Sequence, residues 1–259
     1  MTQNNRVGLC PLASGSRGNS LFVSCGSHRL LIDAGLSGIE IQRRLKSINI
    51  EPESLTAIII THEHSDHIKG AGVLSRRFNL PLYITEPTHK ACAGLGKIDD
   101  LRFFQCGESF CIDNIMVHPF ATCHDAADPV GLTIQYNGYK IGIATDLGIV
   151  TALVKEKLKS CNILYLESNH DPDMLINGPY PWHLKQRIKG RTGHLSNMDA
   201  GGLVAELQSQ CLKHVILAHL SEENNHPAKA VHQIGKAIGG QDICIHVAGP
   251  DNPGQFIKL

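Results

Sequence analysis

Two hydrophobic periods alternate along the chain. Short runs of adjacent β-branched and aliphatic residues read as strands, and the stretches between them, with apolar residues three and four apart, read as helices. Residues 29–32 (RLLI) are the first such run, and Ser37 then stands as N-cap of an amphipathic helix carrying Ile41, Leu45 and Ile48 on one face. Residues 55–61 (LTAIIIT) are too apolar for a one-sided strand, which predicts burial on both faces. A helix is expected over 68–78. Residues 132–146 hold Asn137-Gly138 between alternating apolar positions, the pattern of a two-residue hairpin turn. A helix over 147–158 and a strand over 163–166 follow. Residues 215–218 form a strand, Pro227 opens a helix running to Ile238, and 243–247 closes as a strand.

Hairpins mixed with interleaved helices imply an α/β chain of two packed sheets with helices outside. No repeat or linker divides it, so one domain over 1–259 is expected, with 171–197 its least regular part. Composition changes this picture little: 42% hydrophobic residues suit a globular protein, and 24 basic residues against 24 acidic ones leave no global field to select a partner. No apolar run approaches the roughly 18 residues of a membrane span, and the first ten residues lack a leader's basic and apolar regions, so a cytoplasmic protein is expected. The nine cysteines contain no C-x-x-C pair and read mostly as small reduced core residues. Histidine is the outlier, at fifteen.

The predicted strands share one property. They end at Asp33, at His62, at Asp146, at Glu167 with His170, and at His219, so metal-capable side chains gather at strand carboxyl ends, where α/β proteins build sites. The densest group is HEHSDH, residues 62–67. His62 and His64 are two apart, so in an extended segment both rings point to one side and can share an ion. Asp66 and His67 follow a turn of the chain and suit a second ion. Two-metal centres space their ions about 3.5–4 Å apart and use a bridging carboxylate, a role open to Asp146. The competing reading, a solvated histidine-rich turn, does not account for three histidines and an aspartate directly after a buried strand. Imidazole and carboxylate without thiolate fit Zn²⁺, Mn²⁺ or Fe²⁺.

THEHSDH resembles the H-x-H-x-D-H signature of the metallo-β-lactamase fold. LLIDAG with Asp33, CHD with His124, ATDLG with Asp146 and LAHLS with His219 continue the likeness in order over most of the chain. The resemblance implies an αββα sandwich of two mixed sheets flanked by helices. It implies His62, His64 and His124 on one metal, Asp66, His67 and His219 on the second, Asp146 on both, and Asp33 orienting the histidine loop.

Surroundings must choose the reaction. Asp146 stands where true lactamases carry Cys, which keeps the ions oxygen-seeking. Residues 179–197 (PYPWHLKQRIKGRTGHLSN) set Lys185, Arg187, Lys189 and Arg191 beside Tyr180 and Trp182, a pattern that neutralises phosphates and stacks bases, though a solvated basic loop has the same composition. GHLSN resembles the G-H-x-S element of nucleases in this fold, which implies that His194 contacts the scissile phosphate, with Ser196 close by. LASGSRGNS, residues 12–20, offers Ser14, Ser16 and Asn19 to an anion or simply makes a hairpin turn. Together with ESNHD and LAHLSEENN, these segments are similar to the WalJ/YycJ/VicX subfamily. That implies a metal-dependent phosphodiesterase, a 5′-to-3′ DNA exonuclease in which water activated by two metals attacks phosphorus, with Asp66, Asp146 and His194 as catalytic residues. Only 47 residues separate Asp146 from His194, too few for the β-CASP domain that larger relatives such as RNase J insert there. A small ester or thioester hydrolase of the glyoxalase II type is the enzymatic alternative, and a non-catalytic metal module the third reading. His170, Glu222, Asn225 and His226 are further cleft candidates. His28, His89, His118, His183, His214, His232 and His246 are taken as structural or solvated.

Overall fold

A computed structural model of the chain describes residues 7–259. Contacts divide these into two compact units, one of residues 7–115, 126–128 and 249–259, the other of 116–125 and 129–248. Two mixed seven-stranded sheets with flanking helices make up the fold.

The first unit starts with the antiparallel strands β1 (Val7–Ala13), β2 (Ser20–Cys25) and β3 (His28–Ile32). Helix α1 (Gly38–Ser47) follows, with Ser37 accepting from Glu40 N as its cap. Strand β4 (Ala57–Ile59) leads to the short helix α2 (Ser65–Ile68), then to α3 (Ala71–Phe78), β5 (Leu82–Thr85), α4 (Glu86–Ala91), β6 (Leu101–Phe104) and β7 (Phe110–Ile112). With β14 (Ile257–Lys258) at its edge, the first sheet runs β14-β1-β2-β3-β4-β5-β6, and β3 through β6 pair in parallel. Ile41 and Leu45 of α1 and Ala71 and Leu74 of α3 pack on Leu31, Ile58, Ile60 and Leu82. Leu30 and Ile59, on the opposite strand faces, are equally inaccessible, which accounts for the unbroken apolar run.

The second unit contains β8 (Ile115–Ala121), β9 (Val130–Tyr136), β10 (Tyr139–Ala144), α5 (Ala152–Leu158), β11 (Ile163–Glu167), α6 (Pro172–Asn177), α7 (Trp182–Lys189), α8 (Asn197–Leu207), β12 (His214–Ala218), α9 (Pro227–Ile238) and β13 (Cys244–Val247). The second sheet has the order β13-β12-β11-β10-β9-β8-β7, with β10 to β13 parallel. Asn137 and Gly138 both take positive φ, 47° and 83°, as the expected tight hairpin turn requires. Helices α5, α8 and α9 cover the sheet through Val154, Leu203, Val204 and Ile234 on Leu164, Val215 and Leu217.

Several expected elements change shape. The helix expected over 68–78 is broken at Gly70, where a Cβ would meet Leu36 O at 2.4 Å and where the Gly70 amide donates to Ala34 O. The helix expected over 147–158 starts only at Ala152, capped by Thr151, because Leu147 and Gly148 use their amides on Glu167 and on Cys123 O. The stretch 171–197 is more regular than expected: Asp171 caps α6, Pro172 fits its first turn, and Pro181 precedes α7. Of the nine free cysteines only Cys10, Cys25 and Cys161 are buried, and Cys111, Cys211 and Cys244 are exposed, which corrects the expectation that most lie in the core. Among the described residues no helix is long and apolar enough to cross a membrane.

Candidate metal centre

In the first unit the ligand-rich segment begins where β4 ends. Thr61 and His62 leave the strand buried, and α2 brings Asp66 and His67 round within one turn, its backbone closed by the His67 amide donating to His64 O. The rings gather closely, His62 to His64 at 4.7 Å and His62 to His67 at 4.0 Å between centroids. Asp33, one residue past β3, organises them. Its Oδ1 accepts from Thr61 N at 2.8 Å, while Oδ2 accepts from Thr61 Oγ1 and from His67 Nδ1, both at 2.8 Å. Since Thr61 Oγ1 spends its proton on Asp33, it accepts from His62 Nδ1 at 3.0 Å. Both imidazoles therefore hold their proton on Nδ1 and carry the lone pair on Nε2, the tautomer a metal ligand needs. Asn19 Nδ2 donates to His67 Nε2 at 3.0 Å, consistent with that assignment, and to Asp66 Oδ2 at 3.1 Å.

Gly35 makes this packing possible. A Cβ there would lie 1.6 Å from Asp66 O, so only glycine lets the two segments approach.

In the second unit the same proton placement recurs. His124 Nδ1 donates to Gly193 O at 3.2 Å, and His219 and His194 donate through Nδ1 to Glu167 Oε1 at 3.2 and 2.7 Å. Asp146 Oδ1 lies 3.6 Å from His124 Nε2 and 3.8 Å from His219 Nε2, within reach of both lone pairs. One ligand atom each from Asp146, Glu167, His194 and His219 falls within 4.8 Å of the others. His194 stacks on His219 with centroids 5.0 Å apart and is the most accessible of the set, its side chain 23% exposed. Burial pushes the His124 ring below its ordinary pKa, against the nearby Asp146 carboxylate, which keeps its Nε2 lone pair unprotonated at neutral pH.

Glu167 was placed at a strand end by the sequence but given no role there. It is wholly buried, and its Oε2 accepts from Leu147 N at 2.7 Å and Leu195 N at 3.2 Å while Oε1 serves the two imidazoles. Burial acts to raise its pKa, but the His194 charge and the hydrogen bonds from His194 and His219 outweigh it and hold the carboxyl well below its usual range. The available signal was a carboxylate closing a strand whose five residues are all buried.

The remaining expected residues are distributed as follows. Ser14 is buried with its amide on Gly249 O, and Ser16 is exposed. Asn19 is buried, braced against Gly15 N and O, and faces Asp66 rather than solvent. Lys185 Nζ donates to Ile176 O and Gly178 O, both at 2.7 Å, and Arg187 pairs with Asp125 at 2.7 Å. Ser196 caps α8 by accepting from Asp199 N, and His226 caps α9 by accepting from Ala228 N. Asn225 ties Ser168 O and Asn169 O to Asn197, and His170 is buried beside them.

Imidazole nitrogens with ordered tautomers and carboxylate oxygens are the donor set of a divalent metal site. Residues 28–220 match the family model for the β-lactamase superfamily domain. The chain is 40% identical to exodeoxyribonuclease YycJ of Bacillus anthracis over 93% of this chain and 95% of that one. It is 38% identical to exodeoxyribonuclease WalJ of Streptococcus pneumoniae over 93% of each. In fold it is similar to the metallo-β-lactamase fold protein YhfI of Bacillus subtilis, with a TM-score of 0.77 at 15% identity, covering 98% of this chain and all of that one. An ordered imidazole–carboxylate set on two mixed sheets, with relatives matching nearly end to end, means that the chain belongs to the β-lactamase superfamily and, within it, to the YycJ/WalJ family.

Proposed function

We propose that the protein is a metal-dependent exodeoxyribonuclease that removes nucleotides from the 5′ end of DNA. One observation carries the reading: two relatives named exodeoxyribonucleases match this chain over 93% of its length. The tautomer order at His62, His67, His124 and His219 supports metal dependence.

On the family's ligand pattern, His62, His64 and His124 would hold one ion and Asp66, His67 and His219 the other, with Asp146 available to both. Two ions, Mn²⁺ or Zn²⁺ with Fe²⁺ also compatible, fit this mixed set. Bound there, divalent ions supply charge stabilisation to the phosphate and activation of the attacking water. The chain's own groups do the rest. Asp33 and Glu167 keep protons on Nδ1 of their histidines, and Asp66 is steadied by Asn19. His194, held at Nδ1 by Glu167, stabilises the charge that grows on the phosphate or the leaving oxygen when its ring carries a second proton, on Nε2, to donate there. Ser16 stands among the exposed groups that can meet a phosphate, and Ser14, Lys185, Arg187 and Ser196 act through the segments they brace. The whole chain is read as one functional domain working in the cytoplasm, with its nine thiols free. The thioesterase reading has no observation of its own in the structure.

The test is to strip the protein of metal, resupply Mn²⁺ or Zn²⁺ separately, and add linear duplex DNA or RNA labelled at either end. Mononucleotides released from the 5′ end of DNA, and lost in Asp146→Ala, are expected. Hydrolysis of a thioester with no cleavage of any nucleic acid would overturn the proposal.

A further inference from the structure

Trp182 is the only tryptophan in the chain, and it opens α7 with 66% of its surface exposed, an unusual position for so large an apolar ring. Lys185 and Lys189 follow at i+3 and i+7, so all three share one helix face. With Ile176, itself 48% exposed, and Gln186 they line a shallow cavity of 190 Å³. Lys189 also lines a second cavity of 420 Å³ beside Lys155 and Met198. Helix α7 has no acidic residue, in a chain whose acids and bases balance. Two of its cations are committed, Lys185 to the carbonyls at the end of α6 and Arg187 to Asp125. The charge presented outward is that of Lys189 and of Arg191 just beyond, both exposed, and among the described residues neither makes an ion pair.

The far end of this face leads to His194, whose amide donates to Ile188 O at 2.9 Å. Six residues of helix separate Trp182 from Ile188, about 9 Å at 1.5 Å per residue. The indole therefore stands about a helix length from the turn that carries His194.

We propose that Trp182 and Lys189 form a binding subsite for single-stranded nucleic acid, with the indole stacking on a base and the ammonium group on an adjoining phosphate. The inference rests on the nuclease reading and extends it from the scissile phosphate to the strand behind it. One flat aromatic ring flanked by cations and an amide matches a strand, in which an apolar base face and a phosphate alternate. An acidic peptide offers the charge without the flat apolar partner, and a membrane requires a broader apolar face than one ring and one isoleucine.

The experiment titrates the metal-loaded full chain with a phosphorothioate oligothymidylate of eight nucleotides, which resists cleavage, and follows Trp182 emission. Saturable quenching is expected, with no change on adding polyglutamate or anionic vesicles. Labelled-oligonucleotide anisotropy should show Trp182→Ala weakening affinity about 5- to 100-fold, Trp182→Phe recovering much of it, and Lys189→Ala lowering the salt slope by roughly 0.7. KM should rise in Trp182→Ala for a cleavable phosphodiester octanucleotide and stay unchanged for a phosphodiester dinucleotide, which is too short to reach the ring. If the wild type degrades DNA while Trp182→Ala binds the octanucleotide as tightly as wild type does, the subsite is refuted and the nuclease reading stands. If the wild type neither binds nor cuts any nucleic acid, both fall.

Discussion

Glu167→Gln alters one atom and no volume, yet the hydrogen-bond pattern makes its effect specific. The carboxylate accepts on both oxygens, from the Leu147 and Leu195 amides on one side and from the His194 and His219 imidazoles on the other. Backbone amides cannot become acceptors, so the glutamine must keep its oxygen toward them and turn its NH₂ toward the two Nδ1 atoms. If those imidazoles kept their protons on Nδ1, donor would face donor in a buried site, at about 1–3 kcal/mol for each unmet group. The imidazoles instead move their protons to Nε2, which removes the lone pair His219 needs to ligate. Metal affinity should fall about 10- to 100-fold, the usual effect of losing a partner behind a ligand. Calorimetric titration of the stripped protein with Mn²⁺ and Zn²⁺ measures the affinity, and imidazole ¹⁵N shifts report the tautomers directly. Unchanged affinity with His219 still protonated on Nδ1 would refute the reasoning.

Three further outcomes are expected. Burial pushes His170 from 6.5 down to about 4, so as pH falls through that window the unfolded chain gains a proton the folded one refuses and stability drops; urea unfolding should show His170→Gln losing roughly 3 kcal/mol less than wild type between pH 6.5 and 4, and parallel curves would contradict it. Gly35→Ala drives a methyl into Asp66 O and should cost at least about 1–3 kcal/mol together with metal stoichiometry, so a variant that melts and binds like wild type would remove the close-approach argument. Maleimide at neutral pH should label Cys111, Cys211 and Cys244 and spare Cys10, Cys25 and Cys161, whose thiols burial pushes up to about 12; peptide mass mapping reads the pattern, and early labelling of the buried three would show that the core opens readily.

What could be read from the sequence was what is local. Helix α9 matches its expected bounds because Pro227 and Gly239 punctuate it, and the β9–β10 hairpin follows from two adjacent residues that tolerate positive φ. The ligand-rich segment could be read for the same reason: its chemistry sits in six consecutive positions. Strand β1 passed unnoticed because Gly8 and Pro11 interrupt its apolar run, and β6 because two of its four residues are exposed and dilute the pattern. The helix expected at 147 failed for a tertiary reason, since Leu147 and Gly148 are claimed by Glu167 and Cys123. Of the groups that fix the imidazole protons, Asp33 could be reached only through the family resemblance and Glu167 not at all, for a comparable reason. Asp33 is 28 positions from Thr61, and Glu167 is 27 from His194 and 52 from His219, so their service to the ligands exists only once the sheets have formed.

A property shared by three functional residues carries no sequence mark at all. Asp33, Asp146 and His219 each follow the carboxyl end of a strand, β3, β10 or β12, and each adopts left-handed backbone, with φ of 58°, 55° and 55°. Left-handed geometry costs a residue with a Cβ about 1–2 kcal/mol, and glycine would avoid that cost at every one of the three positions. Glycine would also delete the carboxylate or imidazole. Turning sharply as the strand ends, while keeping the side chain, lets each of these strands deliver a polar group at the carboxyl end of its own sheet, β3 in the first and β10 and β12 in the second. The strain is held by the hydrogen bonds these residues accept and donate, which for Asp33 number three at 2.8 Å. Backbone strain and ordered imidazole protons are therefore coupled: the bonds that keep Asp33 in its unfavourable conformation are the same ones that leave Nε2 of His62 and His67 with the lone pair.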